Sequence, residues 1–154
     1  MKQYLILEDI RSAYNVGAMF RTADGAGVQK VFLCGYTPKP IDRFGRVQNE
    51  IKKTSLGASE TIEWEACDDI ETLVKQLQSE QIEVVAVEQG PGAKSVADFA
   101  PGPAVAYILG NEVTGVSMTA SSAADEIVYI PMLGEKESLN VATAAGIMLY
   151  HGLV

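Results

Sequence analysis

A parallel α/β sheet with helices on both faces is the fold class this sequence predicts, and three observations point to it. Short runs of Val, Ile, Leu and aromatic residues alternate with longer segments of helical period. Several of those runs are nearly continuous in branched apolar residues, as strands covered on both faces should be. The 154 residues, 47% hydrophobic and 21% charged, have the size and composition of one compact domain.

In chain order, Tyr4–Leu7 reads as the first strand, and Asn15–Ala26 as a helix. The helix carries Val16, Met19, Phe20, Ala23 and Ala26 on one stripe, with Asn15 as its N-cap and Gly27 at its end. Arg21 lies off that stripe. Lys30–Cys34 is the second strand. Tyr36–Gln48, with Pro38, Pro40 and Gly45 among basic residues, is a long loop, and long loops in compact domains are often functional. Strands at Thr61–Trp64, Glu83–Val87, Val105–Leu109 and Ile127–Ile130 follow, with a helix at Asp68–Ser79. The last helix, Leu139–Leu153, has a stripe of Val141, Ala144, Ala145, Met148 and Leu149 whose small members allow close packing on a sheet or a partner chain. Gly90–Gly92 and Ala100–Pro103 are turns too short to separate domains, so residues 1–154 read as one domain.

Composition narrows the function. MKQYLILEDIR has too short an apolar run for a secretory signal or a membrane span. Cys34 and Cys67 lie far apart and read as reduced thiols in the cytoplasm. His151 is the single histidine, so no metal site is expected. A net charge of −8 argues against broad electrostatic capture of nucleic acid. Yet Arg11, Arg21, Lys39, Arg43, Arg46, Lys52 and Lys53 all fall in the first third, where a polyanion would meet the chain.

Nucleotide loops fail. QGPGAKS at Gln89–Ser95 ends in Lys-Ser, but Glu88 and Ala93 occupy the positions where a phosphate loop needs glycine. No GxGxxG follows the first strand, and no nucleophile elbow appears. Three other clusters are strand ends running into tight polar turns: Asn15–Gly17 with Arg21, Leu109–Gly115, and Ile130–Asn140. In open α/β sheets ligands gather outside the carboxyl ends of strands, so the three could converge on one pocket. Singly, each has a plain explanation. Arg21 could pair with Asp24, Glu112 could be a solvated acid, and Ser138–Asn140 could start the last helix.

As a set, the clusters resemble the three motifs of the SpoU (TrmH-like) branch of the SPOUT RNA methyltransferases. NVGAMFRTA at Asn15–Ala23 is similar to the first, YILGNEVTGVS at Tyr107–Ser117 to the second, and IPMLGEKESLNVATAAG at Ile130–Gly146 to the third; KTSLGASE at Lys53–Glu60 also resembles the family. Ala142 departs from the serine many relatives carry.

The resemblance implies a C-terminal trefoil knot and a dimer with its site at the subunit interface; in a departure from the family pattern, the extra N-terminal RNA-binding domain that many relatives possess is not expected here. It implies methyl transfer from S-adenosyl-L-methionine to a ribose 2′-hydroxyl of structured RNA, tRNA or rRNA. The cofactor would be held around Val87, Glu88, Leu109, Gly110, Ile130, Met132, Gly134, Ser138, Leu139 and Asn140. Arg21 would act on the 2′-hydroxyl, Asn15 would orient the turn or ribose, and Glu112 would brace the pocket or fix Arg21. RNA would meet Arg11, Lys39, Arg43, Arg46, Lys52 and Lys53. A non-catalytic cofactor- or RNA-binding module on the same fold is the alternative.

Overall fold

The computed structural model describes residues Met1–Val154. Seven parallel strands form one sheet: β1 (Lys2–Glu8), β2 (Lys30–Cys34), β3 (Trp64–Cys67), β4 (Glu83–Val87), β5 (Lys94–Ser95), β6 (Ala104–Leu109) and β7 (Glu126–Tyr129). Their order across the sheet is β3-β2-β1-β6-β4-β7-β5. The N-terminal strand is therefore interior, with Leu5 beside both Val31 of β2 and Tyr107 of β6.

Alternation along the strands divides the core in two. Leu5, Leu7, Val31, Leu33, Val105 and Tyr107 face one layer, with α1 (Ala13–Ala26) and α6 (Val141–His151) packed on it through Val16, Met19, Phe20, Met148 and Leu149. Ile6, Phe32, Val84, Ala86 and Ile108 face the other. There α4 (Ile70–Ser79) contributes Leu73, Val74 and Leu77, and α5 (Met118–Ala123) contributes Ala120. Each large side chain removed from water this way is worth roughly 1.5–3 kcal/mol, which is why helices must cover both faces of an all-parallel sheet.

Several boundaries differ from the sequence reading. The cap of α1 is Ser12, whose Oγ accepts the Asn15 amide at 3.1 Å; Asn15 lies inside the helix, freeing its side chain for other work. Gly27 ends α1 in the left-handed region at φ 73°. The third strand starts at Trp64, because Thr61 closes the short α3 (Ala58–Thr61) that follows α2 (Asn49–Ser55). Leu139 lies ahead of α6, which Asn140 caps by accepting the amides of Ala142 and Thr143 at 2.9 and 3.2 Å. The Tyr36–Gln48 loop is folded on itself, with Ile41 and Val47 in an antiparallel bridge. No helix is long and apolar enough to cross a membrane.

Candidate functional site

The carboxyl ends of β4, β6 and β7 open onto a cavity of about 360 Å³. Its wall comes from three stretches: Val87–Gln89, Leu109–Gly115, and Tyr129, Ile130 and Met132 with Glu137–Leu139, closed by Val141 and Ala144 of α6. Apolar and polar residues share the lining equally, a surface suited to a small amphipathic ligand.

Backbone shape sets the middle stretch. A Cβ on Gly110 would collide with the backbone of Gly115 and the amide of Val116, so the loop can fold back on itself only through glycine. Glu88 secures the return: its Oε2 accepts the Val116 amide at 2.9 Å while Oε1 accepts the Gln89 amide at 2.8 Å. Asn111 builds the turn, taking the amides of Val113 and Thr114 on Oδ1 at 2.8 and 2.9 Å. Its Nδ2 donates to the Asp9 carbonyl at 2.9 Å and to the Tyr36 hydroxyl at 2.7 Å, tying the turn to the end of β1 and the start of the long loop. Asp9 itself is held at φ 53°, a strained setting for a residue with a side chain.

Glu112 reaches the opposite way. It accepts the amides of Arg11 and Ser12 at 2.9 and 3.0 Å and the Asn15 side-chain amide at 3.1 Å. Partial burial pushes its pKa up, but the amides of Arg11, Ser12 and Glu112 itself, with the Asn15 side chain, outweigh that and hold it below the ordinary carboxylate value. Asn140 completes the line, donating from Nδ2 to Asn15 Oδ1 at 3.3 Å.

Of the residues expected around a cofactor, Val87, Glu88, Leu109, Gly110, Ile130, Met132, Ser138 and Leu139 line the cavity, as does Glu112. Gly134 does not, and a Cβ there would meet nothing. Asn140 sits behind the lining as a helix cap. Arg21 is exposed on α1, outside the cavity wall and without an ion pair, so neither Asp24 nor Glu112 holds it. Among the basic residues, Lys39 donates to the Thr37 carbonyl, Arg46 pairs with Asp42 at 2.8 Å and Lys52 with Glu60 at 3.7 Å; Arg11, Arg43 and Lys53 are exposed and unpaired. The sequence reading missed Asn111 and Gln89, although Asn111 within Gly-Asn-Glu carried a turn signature.

Known proteins resemble this chain closely enough to classify it. The sequence profile of the SpoU rRNA Methylase family matches residues 2–150. The 23S rRNA (guanosine-2′-O-)-methyltransferase RlmB of Pectobacterium atrosepticum is 32% identical over 149 residues, covering 97% of this chain and 58% of that protein. The chain thus spans somewhat over half the length of the curated relatives it matches. Among solved structures, the AdoMet-bound rRNA methyltransferase of Sinorhizobium meliloti superposes with a TM-score of 0.83 at 26% identity, over 98% of this chain and 55% of that one. The TrmH/SpoU tRNA modifying enzyme of A. aeolicus shares the fold, with a TM-score of 0.85 at 22% identity over 97% of this chain and 73% of its own. Three motifs in the expected order, one sheet and one cavity, together with a profile match over nearly the whole chain, place this protein in the SpoU rRNA methylase family.

Proposed function

We propose that this chain transfers a methyl group from S-adenosylmethionine to a ribose 2′-hydroxyl of structured RNA, acting as a cytoplasmic homodimer. One observation carries the reading: the Asn140–Asn15–Glu112 line of hydrogen bonds, which joins one residue from each of the three motifs beside the cavity. The relatives' names, a 23S rRNA 2′-O-methyltransferase and an AdoMet-bound rRNA methyltransferase, support the same chemistry.

The cavity fits the cofactor. Gly110 lets the loop after β6 fold back against Gly115 and so shapes the wall, while Val87, Leu109, Ile130, Met132 and Leu139 offer apolar surface to a base and Glu88 and Ser138 add polar groups. These residues would hold S-adenosylmethionine, which when bound supplies a methyl already activated on a sulfonium. The family's trefoil knot belongs to the reading, supported by the family match over residues 2–150.

Arg21 would clamp the RNA. A guanidinium is too weak an acid to give up its proton and serve as a base, so its contribution is to bind phosphate and stabilise developing charge on the ribose oxygen, while the hydroxyl proton leaves to phosphate or water. Asn15 and Glu112 set the start of α1 against the cavity and so fix where Arg21 is carried. Arg21 lies outside its own chain's cavity wall, which supports a dimer in which a second copy completes the site; Ile147 and Tyr150, exposed on α6, are available to pack there. Two free cysteines agree with a cytoplasmic location.

The test is 2′-O-methyl mapping of total RNA from a strain lacking the gene, with and without complementation. One or more sites should disappear and return. An unchanged map, with cofactor binding intact in calorimetry, would favour the non-catalytic module.

A further inference from the structure

The tip of the long loop holds an arrangement that the methyl-transfer chemistry does not use. Phe44 is 68% exposed, with the guanidinium carbons of Arg43 and Arg46 lying 4.9 and 5.0 Å from its ring centroid. The turn presenting it is preformed. Asp42 Oδ1 accepts the amides of Phe44 and Arg46 at 2.9 and 3.0 Å, its Oδ2 accepts Arg46 Nε at 2.8 Å, and Asp42 and Arg46 also bond through their main chains at 2.9 Å. Gly45 takes the left-handed conformation at φ 80°, and the Ile41–Val47 bridge closes the base.

This hairpin buries none of its aromatic surface in either core layer, so its packing does not explain Phe44. The loop is anchored beside the cavity, since Tyr36 at its start meets Asn111 of the wall at 2.7 Å. We infer that Phe44 is a stacking platform for an unpaired nucleobase of the RNA substrate, flanked by two phosphate-binding arginines; the inference rests on the methyl-transfer reading above. An aromatic face accepts any base, and an unpaired base in an RNA loop exposes the face that a duplex hides. Arg46 is fixed over the ring by its bonds to Asp42. Arg43 has no ion pair, so it can yield its place over the ring to a base and turn to the adjoining phosphate. In a chain of net charge −8, such a local site supplies affinity that the overall field opposes.

Binding of the full chain to two probes tests this: a stem–loop RNA with an unpaired loop, and a blunt RNA duplex with the same number of phosphates, each titrated at several salt concentrations. Phe44→Ala should weaken stem–loop binding about tenfold, Phe44→Trp should restore it, and neither should change duplex affinity or the salt slope. Arg43→Gln should lower the slope for the loop by about 0.7. The exposed position means that all three should melt with the wild type. Wild-type indifference between the probes, equal weakening on both by Phe44→Ala, or a Phe44→Ala effect seen only in sedimentation as a change of oligomeric state would overturn the inference, the last assigning Phe44 to a second copy of the chain. Calorimetry with S-adenosylmethionine separates the two readings: a wild type that does not bind it sinks methyl transfer, whereas normal cofactor binding with Phe44 indifferent sinks only the platform.

Discussion

Asn15 and Glu112, 97 positions apart, meet at 3.1 Å, and through that contact the start of α1 is fastened to the cavity turn. Glu112 is held below the ordinary carboxylate pKa, so the native state binds fewer protons there than the unfolded chain does. The stability it contributes is complete above the ordinary glutamate value of about 4.3 and drains away as pH falls through the lower folded value. Glu112→Gln should therefore melt below the wild type at neutral pH, and the gap should narrow below about pH 4. Melting curves collected across that range check it, and a gap independent of pH would disprove the ionic role.

Arg21→Ala should leave the melting temperature and cofactor affinity unchanged while abolishing methyl transfer. Its side chain is exposed and pairs with nothing in the chain, so folding should not register its loss. Arg21→Lys should also lose most activity, because an ammonium cannot present the planar fork that grips phosphate. Calorimetry and radiolabel transfer measured on the same preparations distinguish this from a binding defect.

Gly110 and Gly134 should respond oppositely to alanine. At 110 the new methyl strikes backbone that cannot swing aside, and a loss of at least about 3 kcal/mol or a failure to fold is expected. At 134 it meets open space, and denaturation midpoints should stay within about 0.5 kcal/mol of the wild type.

Tyr107→Phe should be neutral or stabilising by up to about 1 kcal/mol. The Tyr107 hydroxyl is buried without a hydrogen-bond partner, and burial pushes its pKa upward, with Glu83 adding to the shift. Removing an unsatisfied group relieves a desolvation cost, while the ring keeps its edge-to-face contact with Phe99 at 6.5 Å. Urea denaturation decides it, and a marked loss of stability would mean that the hydroxyl has a partner.

The interior strands were legible because burial on both faces leaves Val, Ile and Leu little competition, as in Val84–Val87 and Val105–Leu109. The edge was not. Trp64–Cys67 is only partly covered, so its pattern is mixed, and β5 has two residues, too few for any period to register. The polar α2 and the small-residue α5 lack the stripe that marks a helix packed on a core. At the site, glycines and turn residues identified the cavity wall, since local backbone chemistry is written locally. The contacts that matter between motifs are tertiary: Ser12 outcompeted Asn15 for the cap, and nothing in the spacing reveals that the freed amide finds Glu112 and Asn140.

The placement of β1 between β2 and β6 bears on how the chain comes off the ribosome. In the chain β1 is separated from its neighbour on one side, Ala104–Leu109, by β2, β3, β4 and β5, so that neighbour emerges long after β1 has been made. Until then Leu5, Ile6 and Leu7 have one strand partner in place of two, and a sheet dominated by such distant pairings closes slowly. During that interval the nascent chain presents an apolar, half-paired edge, the kind of surface that promotes aggregation until its second neighbour arrives.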